Sequence, residues 1–422
     1  MRKRMIMLAA LAVALTAAPL AGCSDDDHGI EVPTDNALKS ISLTRAQQEL
    51  VTASNDFAFN LFRRATLPVE GTSALAEPKS TILSPLSITY ALGMLNNGAA
   101  GETQQQINEV LGFGDTGADG INAFCQKMLT EAPALDKLTK VMIANNIYVN
   151  EGYKQLPDFV AKAKEFYDAK PETRNFHDGK TCDVINRWAS DHTEGMIDKV
   201  LTEDEFNPDA VSYLLNAIYF KGAWKEKFSK SQTRNEAFEG REKKVPMMHQ
   251  ENEFSYTEDD LCQALRLPYG NGAYSMTILL PREGKNVDEL LLSLNAESWR
   301  QYQDMGYAIA DVKLPRFESK TDLSLKDIMA SLGMPKAFTP FEAEFPNFCD
   351  VPTYIGMMKQ VARIKLDEEG TEAAAVTVIG DFATSVPMEP QHVTFHATRP
   401  FLYVISERST GAIFFIGKYV GD

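Results

Sequence analysis

Few stretches of this chain place reactive side chains at catalytic spacing. Gly112-Phe113-Gly114-Asp115-Thr116-Gly117 has the G-x-G-x-x-G form of a phosphate cradle. Such a cradle needs a strand before the glycines and a helix after them, so that backbone N–H groups converge on the anion. Here the apolar spacing predicts a helix over Glu102–Leu111 in front, and Asp115 puts a negative charge where phosphate must approach. The stretch therefore reads as a helix stop and turn. His177, His192, His249, His392 and His396 are scattered, and no serine or cysteine stands at the spacing of a nucleophile with its base. G-x-S-x-G, H-E-x-x-H and P-loop patterns are missing. Beyond Cys23, the cysteines Cys125, Cys182, Cys262 and Cys349 are widely separated and form no C-x-x-C pair. That spacing argues against a zinc site and for free, mostly buried thiols. No catalytic residue, metal ligand or cofactor is expected, and the chain reads as a non-enzyme.

The elements around these residues are those of one mixed α+β domain. The chain has 422 residues, 44% of them hydrophobic, enough for a large core. Leu50, Ser54, Phe57, Ala58, Leu61 and Phe62 recur at helical spacing and predict a helix from about Thr44. Pro68, Gly71 and Pro78 mark a loop, and Ser84-Pro85 opens a second helix, with serine at the cap and proline in the first turn. Thr139–Val149 and Val211–Phe220 are apolar, β-rich runs that suit strands buried on both faces. Leu261–Pro268 and Tyr274–Pro281 flank the Gly270-Asn271-Gly272 turn as paired strands. Further strands are expected at Ala308–Pro315, Val361–Leu366, Val393–Phe395, Phe401–Ser406 and Ala412–Tyr419. Helices gather early and strands late. With no repeat or composition break, residues 45–422 read as a single domain.

The first residues read as an address. Arg2, Lys3 and Arg4 precede the apolar run Ile6–Leu20, which is short for a membrane span. The run ends in Leu20-Ala21-Gly22-Cys23, which resembles a bacterial lipobox. That resemblance implies cleavage after residue 22 and acylation of the Cys23 sulfur and the new amine. Ser24-Asp25-Asp26-Asp27 resembles the acidic export tag of bacterial surface lipoproteins. Residues 1–22 are thus expected to be a signal peptide and 23–44 an acidic, polar tether, with the protein lipid-anchored at the outer membrane and facing outward. The formal net charge is −16, and it becomes more negative once the three basic residues leave. Such a charge repels nucleic acid and anionic headgroups. Membrane contact is therefore expected only through the Cys23 lipid, and the body is expected to be a soluble monomer.

Across the body, several distinctive motifs follow one another in a fixed order. Ser84-Pro85-Leu86-Ser87-Ile88 is followed by Gly98-Ala99-Ala100-Gly101-Glu102-Thr103, then by Ile185-Asn186-Arg187-Trp188 and Thr193-Glu194-Gly195-Met196-Ile197. The most distinctive stretch is Leu215-Asn216-Ala217-Ile218-Tyr219-Phe220-Lys221-Gly222-Ala223-Trp224. Leu267-Pro268-Tyr269, Leu314-Pro315-Arg316-Phe317, Leu332-Gly333-Met334, residues 367–375 and Arg399-Pro400-Phe401 complete the series over about residues 46–420. This ordered series resembles the serpins, a family of serine protease inhibitors. The resemblance implies three sheets, about nine helices and an exposed reactive-centre loop at about 367–392. It also implies a sheet-opening cluster at Ser84, Ser87, Asn216 and Gln360, and a role for Trp224 at the breach where the loop enters the main sheet. Gln360 departs from the family's usual histidine, which implies altered sheet-opening energetics. Thr398 stands where asparagine is common.

The family mechanism, strand addition that releases stored strain, makes demands that this sequence meets. The cut loop becomes a central strand and drags the acylated protease with it. A central strand tolerates no proline, and the first proline after Gly370 is Pro387. The expected hinge is Glu368-Glu369-Gly370-Thr371-Glu372-Ala373-Ala374-Ala375, with Gly370 as a pivot. If Thr371 points inward, so do Ala373, Ala375, Thr377 and Ile379, all small or apolar; Asp381 is the one misfit. Inserting about ten residues at roughly 1 kcal/mol per hydrogen bond gives on the order of 10 kcal/mol, comparable to a domain's whole stability.

Counting fifteen residues from the hinge glycine, as the resemblance implies, puts the bait bond at Thr384-Ser385; counting back from Pro400 gives Met388-Glu389, and Phe382-Ala383 is a third choice. No lysine or arginine occurs between Lys365 and Arg399, so a trypsin-like enzyme finds no cationic bait. The expected partners are serine proteases with small or apolar pockets, elastase-like or subtilisin-like, with cysteine proteases as a second class. A non-inhibitory serpin scaffold and a nutrient-binding surface lipoprotein are the rival readings.

Overall fold

A computed structural model describes residues 36–67, 79–114, 116–371 and 391–422. Cys23, the signal segment, Glu372–Ala375 and all the candidate bait bonds lie outside the described residues.

The first helix, Arg45–Thr66, starts where its sequence directs it. Thr44 Oγ1 accepts from the Gln47 N–H, and Gln47 Oε1 accepts from the Thr44 N–H, a closed capping box. Its buried face carries the expected apolar residues, and Arg63 and Arg64 sit in the last turn, where the helix dipole favours cations. The second helix, Pro85–Asn96, is buried on every side. A helix without a polar face belongs inside a core. Ser84 occupies its cap with extended backbone, but the expected side-chain capping bond is not made. The G-x-G-x-x-G stretch is a helix stop and turn: Gly112, Gly114 and Gly117 all take positive φ between the helices Gly101–Leu111 and Gly117–Glu131. All four described cysteines are free and buried, and burial pushes the thiols of Cys125, Cys262 and Cys349 up to about 12.

Two β-networks pack on this helical layer. The central sheet runs Phe317–Ser324, Met357–Asp367, Ser212–Ala223, Thr139–Asn150, Glu172–Arg174, with the short strand Gly370–Thr371 set between Met357–Asp367 and Ser212–Ala223. The second is a nine-stranded ladder. It merges two of the three expected sheets, because Val245–Glu258 pairs with Gly306–Pro315 along most of its length and with Cys262–Tyr269 at its end. That linking strand and Phe317–Ser324 were not legible as strands: both are charged and half-exposed, so neither shows an apolar run. The hairpin at Gly270 formed as expected, with Tyr269 facing Tyr274.

Most apolar residues form one core between the sheets and the buried helix. A second cluster covers the other face of the central sheet, where Ile185, Ala189, Ile197 and Leu201 pack on Tyr213, Leu215, Ala217 and Val361. Residues 36–44 depart from the expected tether. Ile41 is buried, and its N–H donates to Ser409 Oγ at 2.9 Å, so this stretch lies on the body.

Gly417 faces Tyr403 across two buried strands, and a Cβ there would stand 2.1 Å from the tyrosine ring. Gly417→Ala is expected to destabilise the fold by about 1–3 kcal/mol through overpacking, read as a lower thermal midpoint. An unchanged midpoint would show that the Tyr403 ring has room to shift.

Candidate functional site

The site begins as a discontinuity in the central sheet. Ser212–Ala223 and Met357–Asp367 run parallel and pair from Tyr213/Met357 to Ile218/Ala362, where their ladder stops. Their outer ladders continue, Ser212–Ala223 with Thr139–Asn150 and Met357–Asp367 with Phe317–Ser324. At the far end, Gly370 and Thr371 pair antiparallel with both strands: Thr371 opposes Leu366 on one side and Gly222 on the other.

Gly370 is required there for two reasons. Its φ is 144°, and a Cβ would lie 2.2 Å from the Gly222 carbonyl oxygen. The glycine foreseen as a pivot is therefore a point of close backbone approach. Thr371 is fully buried, on the inward side, and its hydroxyl is 2.7 Å from the Tyr269 hydroxyl. Tyr269 stacks on Trp224, with ring centroids 4.5 Å apart at 11°. Trp224 Nε1 donates to the Asp367 carbonyl at 3.0 Å, and its backbone N–H donates to the Glu369 carbonyl at 2.9 Å. Trp224 thus holds the turn before the hinge.

The two glutamates of that turn are anchored. Glu368 is 2% exposed, accepts from Thr233 Oγ1 at 2.6 Å and lies 3.5 Å from Arg316. Glu369 bridges Lys227 at 3.0 Å and Lys230 at 3.1 Å. Burial pushes both carboxyls upward. The Thr233 hydrogen bond and Arg316 outweigh it at Glu368, and the two lysines outweigh it at Glu369, so both stay below the usual range.

Where the two strands still pair, Gln360 and Asn216 oppose each other and face the buried helix. Gln360 Oε1 accepts from the Ser84 N–H at 2.9 Å, and Gln360 Nε2 donates to the Ser84 carbonyl at 3.0 Å and to Asn216 Oδ1 at 2.6 Å. Asn216 Nδ2 donates to Asn145 Oδ1 and, at 3.4 Å, to the Ser87 carbonyl. Ser84, Ser87, Asn216 and Gln360 are thus brought together, but the serines take part through their backbones. Neither buried hydroxyl has a partner among the described residues. Asn145 completes the chain across the sheet and carries no motif of its own.

A family model described as Serpin (serine protease inhibitor) matches residues 52–421. The chain belongs to the serpin family. Human Serpin B8 is 32% identical over 383 residues, covering 88% of this chain and 99% of its own. The human leukocyte elastase inhibitor is 30% identical over 391 residues, covering 88% and 99%. Among solved structures, the thermophilic serpin tengpin in its native state superposes with a TM-score of 0.79 at 28% identity, covering 92% of this chain and 97% of its own. Thyroxine-binding globulin in complex with thyroxine gives 0.77 at 26%, covering 88% and 99%. The serpin fold is therefore shared with proteins that are in general protease inhibitors.

What the sequence missed at this serpin's site are the partners supplied by distant segments: Tyr269, Thr233, Arg316, Lys227 and Lys230. Tyr269 lies in a recognisable motif, but its bond to Thr371 spans 102 positions and has no local signal.

Gly370→Ala is expected to lever the hinge off the sheet. Hydrogen exchange should then speed up at Trp224 and in 366–371, and unchanged protection there would contradict this geometry. Acid should loosen the same turn. Carboxyls whose folded values are depressed stabilise the fold fully above the unfolded value of about 4.3, and that stabilisation is lost as pH falls through the lower folded values. Protection factors at 366–371, taken relative to the intrinsic exchange rate at each pH, are expected to fall on going from about pH 5 to about pH 3, and Glu369→Gln should flatten that change.

Proposed function

We propose that this serpin inhibits serine-type endopeptidases by loop insertion and covalent trapping of the acyl-enzyme. The observation that carries the reading is the double pairing of Gly370–Thr371. The strand that must enter the sheet already has its first residues between the two strands it would separate. Further insertion would replace a parallel ladder, the weaker kind per residue, with two antiparallel ladders. The residues that would follow are free of proline as far as Pro387 and mostly small on the face that Thr371 begins.

The target preference rests on the loop's composition. Without a cation between Lys365 and Arg399, the bait suits small or apolar pockets, elastase-like or subtilisin-like, with cysteine proteases as a second class. A relative whose name is leukocyte elastase inhibitor is consistent with that class. Thr384-Ser385 is the proposed scissile bond, ahead of Met388-Glu389 and Phe382-Ala383. We further propose lipidation at Cys23, display of a monomeric body, 45–422, at the bacterial outer membrane, and partners limited to proteases and the anchoring membrane.

Incubation of residues 24–422 with elastase is expected to give a complex that survives denaturing electrophoresis and to release a peptide beginning at Ser385. A peptide beginning at Glu389 would move the bond and keep the mechanism. Clean cleavage without complex across a panel of small-pocket proteases would favour a non-inhibitory scaffold instead, and a stable trypsin complex would contradict the target class. Gln360→His tests the cluster. A histidine buried there resists charging, and charging it at low pH penalises the closed sheet, so the variant's spontaneous conversion to an inserted form should accelerate from pH 8 to pH 5 more steeply than that of the parent. Equal pH dependence would remove position 360 from control of opening.

A further inference from the structure

From the geometry around Asp136 we infer that this carboxylate and the segment that caps it, beginning at Asn36, form a positioning device that sets the barrier to sheet opening; the inference rests on the loop-insertion reading. Asp136 is 2% exposed and is held by hydrogen-bond donors from three parts of the chain. Its Oδ1 accepts from Asn36 Nδ2 at 2.7 Å and from the Leu138 N–H at 3.0 Å. Its Oδ2 accepts from Thr139 Oγ1 at 2.6 Å and from the Asn271 N–H at 3.3 Å. These four donors hold both oxygens of the buried side chain.

Each donor belongs to an element with a different part in opening. Thr139 begins Thr139–Asn150 and pairs with Gly222, the residue on whose other edge Thr371 sits. Opening the sheet moves Ser212–Ala223 away from Met357–Asp367, and Thr139–Asn150 must travel with it because their ladder is continuous. Asn271 belongs to the hairpin turn of the other β-network, two residues after Tyr269, which holds Thr371 and stacks on Trp224. Asp136 therefore ties the start of Thr139–Asn150 in the central sheet to the hairpin turn of the nine-stranded network. Contact is so close that a Cβ on Gly270 would stand 1.9 Å from Asp136 Oδ2, and Gly270 has a φ of 44°.

The stretch from Asn36 closes this joint from outside. Asn36 Oδ1 accepts from the Lys137 N–H at 2.9 Å, and Asn271 Nδ2 donates to the Asn36 carbonyl at 3.4 Å and the Leu135 carbonyl at 2.8 Å. Buried Ile41 fastens the same stretch further along. Pulling this stretch away, or neutralising Asp136, removes donors or charge from a buried joint that must break for the sheet to open.

The test measures annealing of a synthetic peptide with the sequence of residues 371–384 into intact protein, read as the rate of gain of heat resistance. Asn36→Ala is expected to speed annealing about tenfold, and Asp136→Asn at least as much. The peptide-loaded forms should all melt within a few degrees of one another, since the joint is already broken in them. The double variant should be no faster than Asp136→Asn alone, because the stretch acts through that carboxylate. Equal rates with a lowered unfolding midpoint would reduce Asp136 and Asn36 to ordinary structural residues, and multiplicative rates would separate the stretch from Asp136; either overturns the inference. If the parent protein anneals no peptide, the insertion reading itself fails.

Discussion

Two neighbouring strands, paired at one end and wedged apart at the other, set the terms for the rest of this molecule. Ser212–Ala223 and Met357–Asp367 keep a parallel ladder only as far as Ile218 and Ala362, and beyond it Gly370–Thr371 takes the space between them. A parallel ladder flanked on both sides by antiparallel ones has a better alternative, a third strand running against both. Under the proposed mechanism the intact fold is held by local contacts that oppose this exchange, and they lie where the two strands meet other elements. Gln360 clamps the paired end to Ser84 and Asn216. Trp224, Tyr269 and the ion pairs of Glu368 and Glu369 fix the turn from which the loop departs.

The front of the sheet is closed by a further layer. Helix Thr181–His192 and the segment after it pack on Tyr213, Leu215, Ala217 and Val361, which belong to both strands of the pair. Lys359, 2% exposed at its side chain, bridges Glu205 in that segment at 2.6 Å and Asp322 on the edge strand at 2.8 Å, and Arg363 donates to the Met196 carbonyl at 3.2 Å. A strand entering the gap has to displace this covering layer in passing. Under the proposed insertion, the barrier is distributed over the clamp, the hinge turn, the Asp136 joint and the cover, which suits a state that persists for kinetic reasons.

Much of this was legible in the chain. Val211–Phe220 reads as a strand buried on both faces because it is one, and the ordered motifs brought Ser84, Ser87, Asn216 and Gln360 to one place. What sequence could not supply were contacts across long separations between ordinary residues: Asn145 on Asn216, Thr233 on Glu368, Asn36 on Asp136. Each partner is a common polar side chain in an unremarkable stretch, and only the closed fold brings it near. Half-exposed strands such as Val245–Glu258 were hidden for another reason, since their charged outer face breaks up the apolar pattern. The segment 36–44 looked like spacer because it is polar, yet burying one side chain, Ile41, and bonding one amide, Asn36, was enough to lay it on the body.

The most direct test compares the thermal midpoint of the intact protein with that of protein nicked once between residues 382 and 389. Insertion worth on the order of 10 kcal/mol requires the nicked form to melt roughly 10–15 °C above the intact one. A nicked form that melts at the same temperature or lower would contradict the account, because the gap between Ser212–Ala223 and Met357–Asp367 would then not be a place the loop gains by entering.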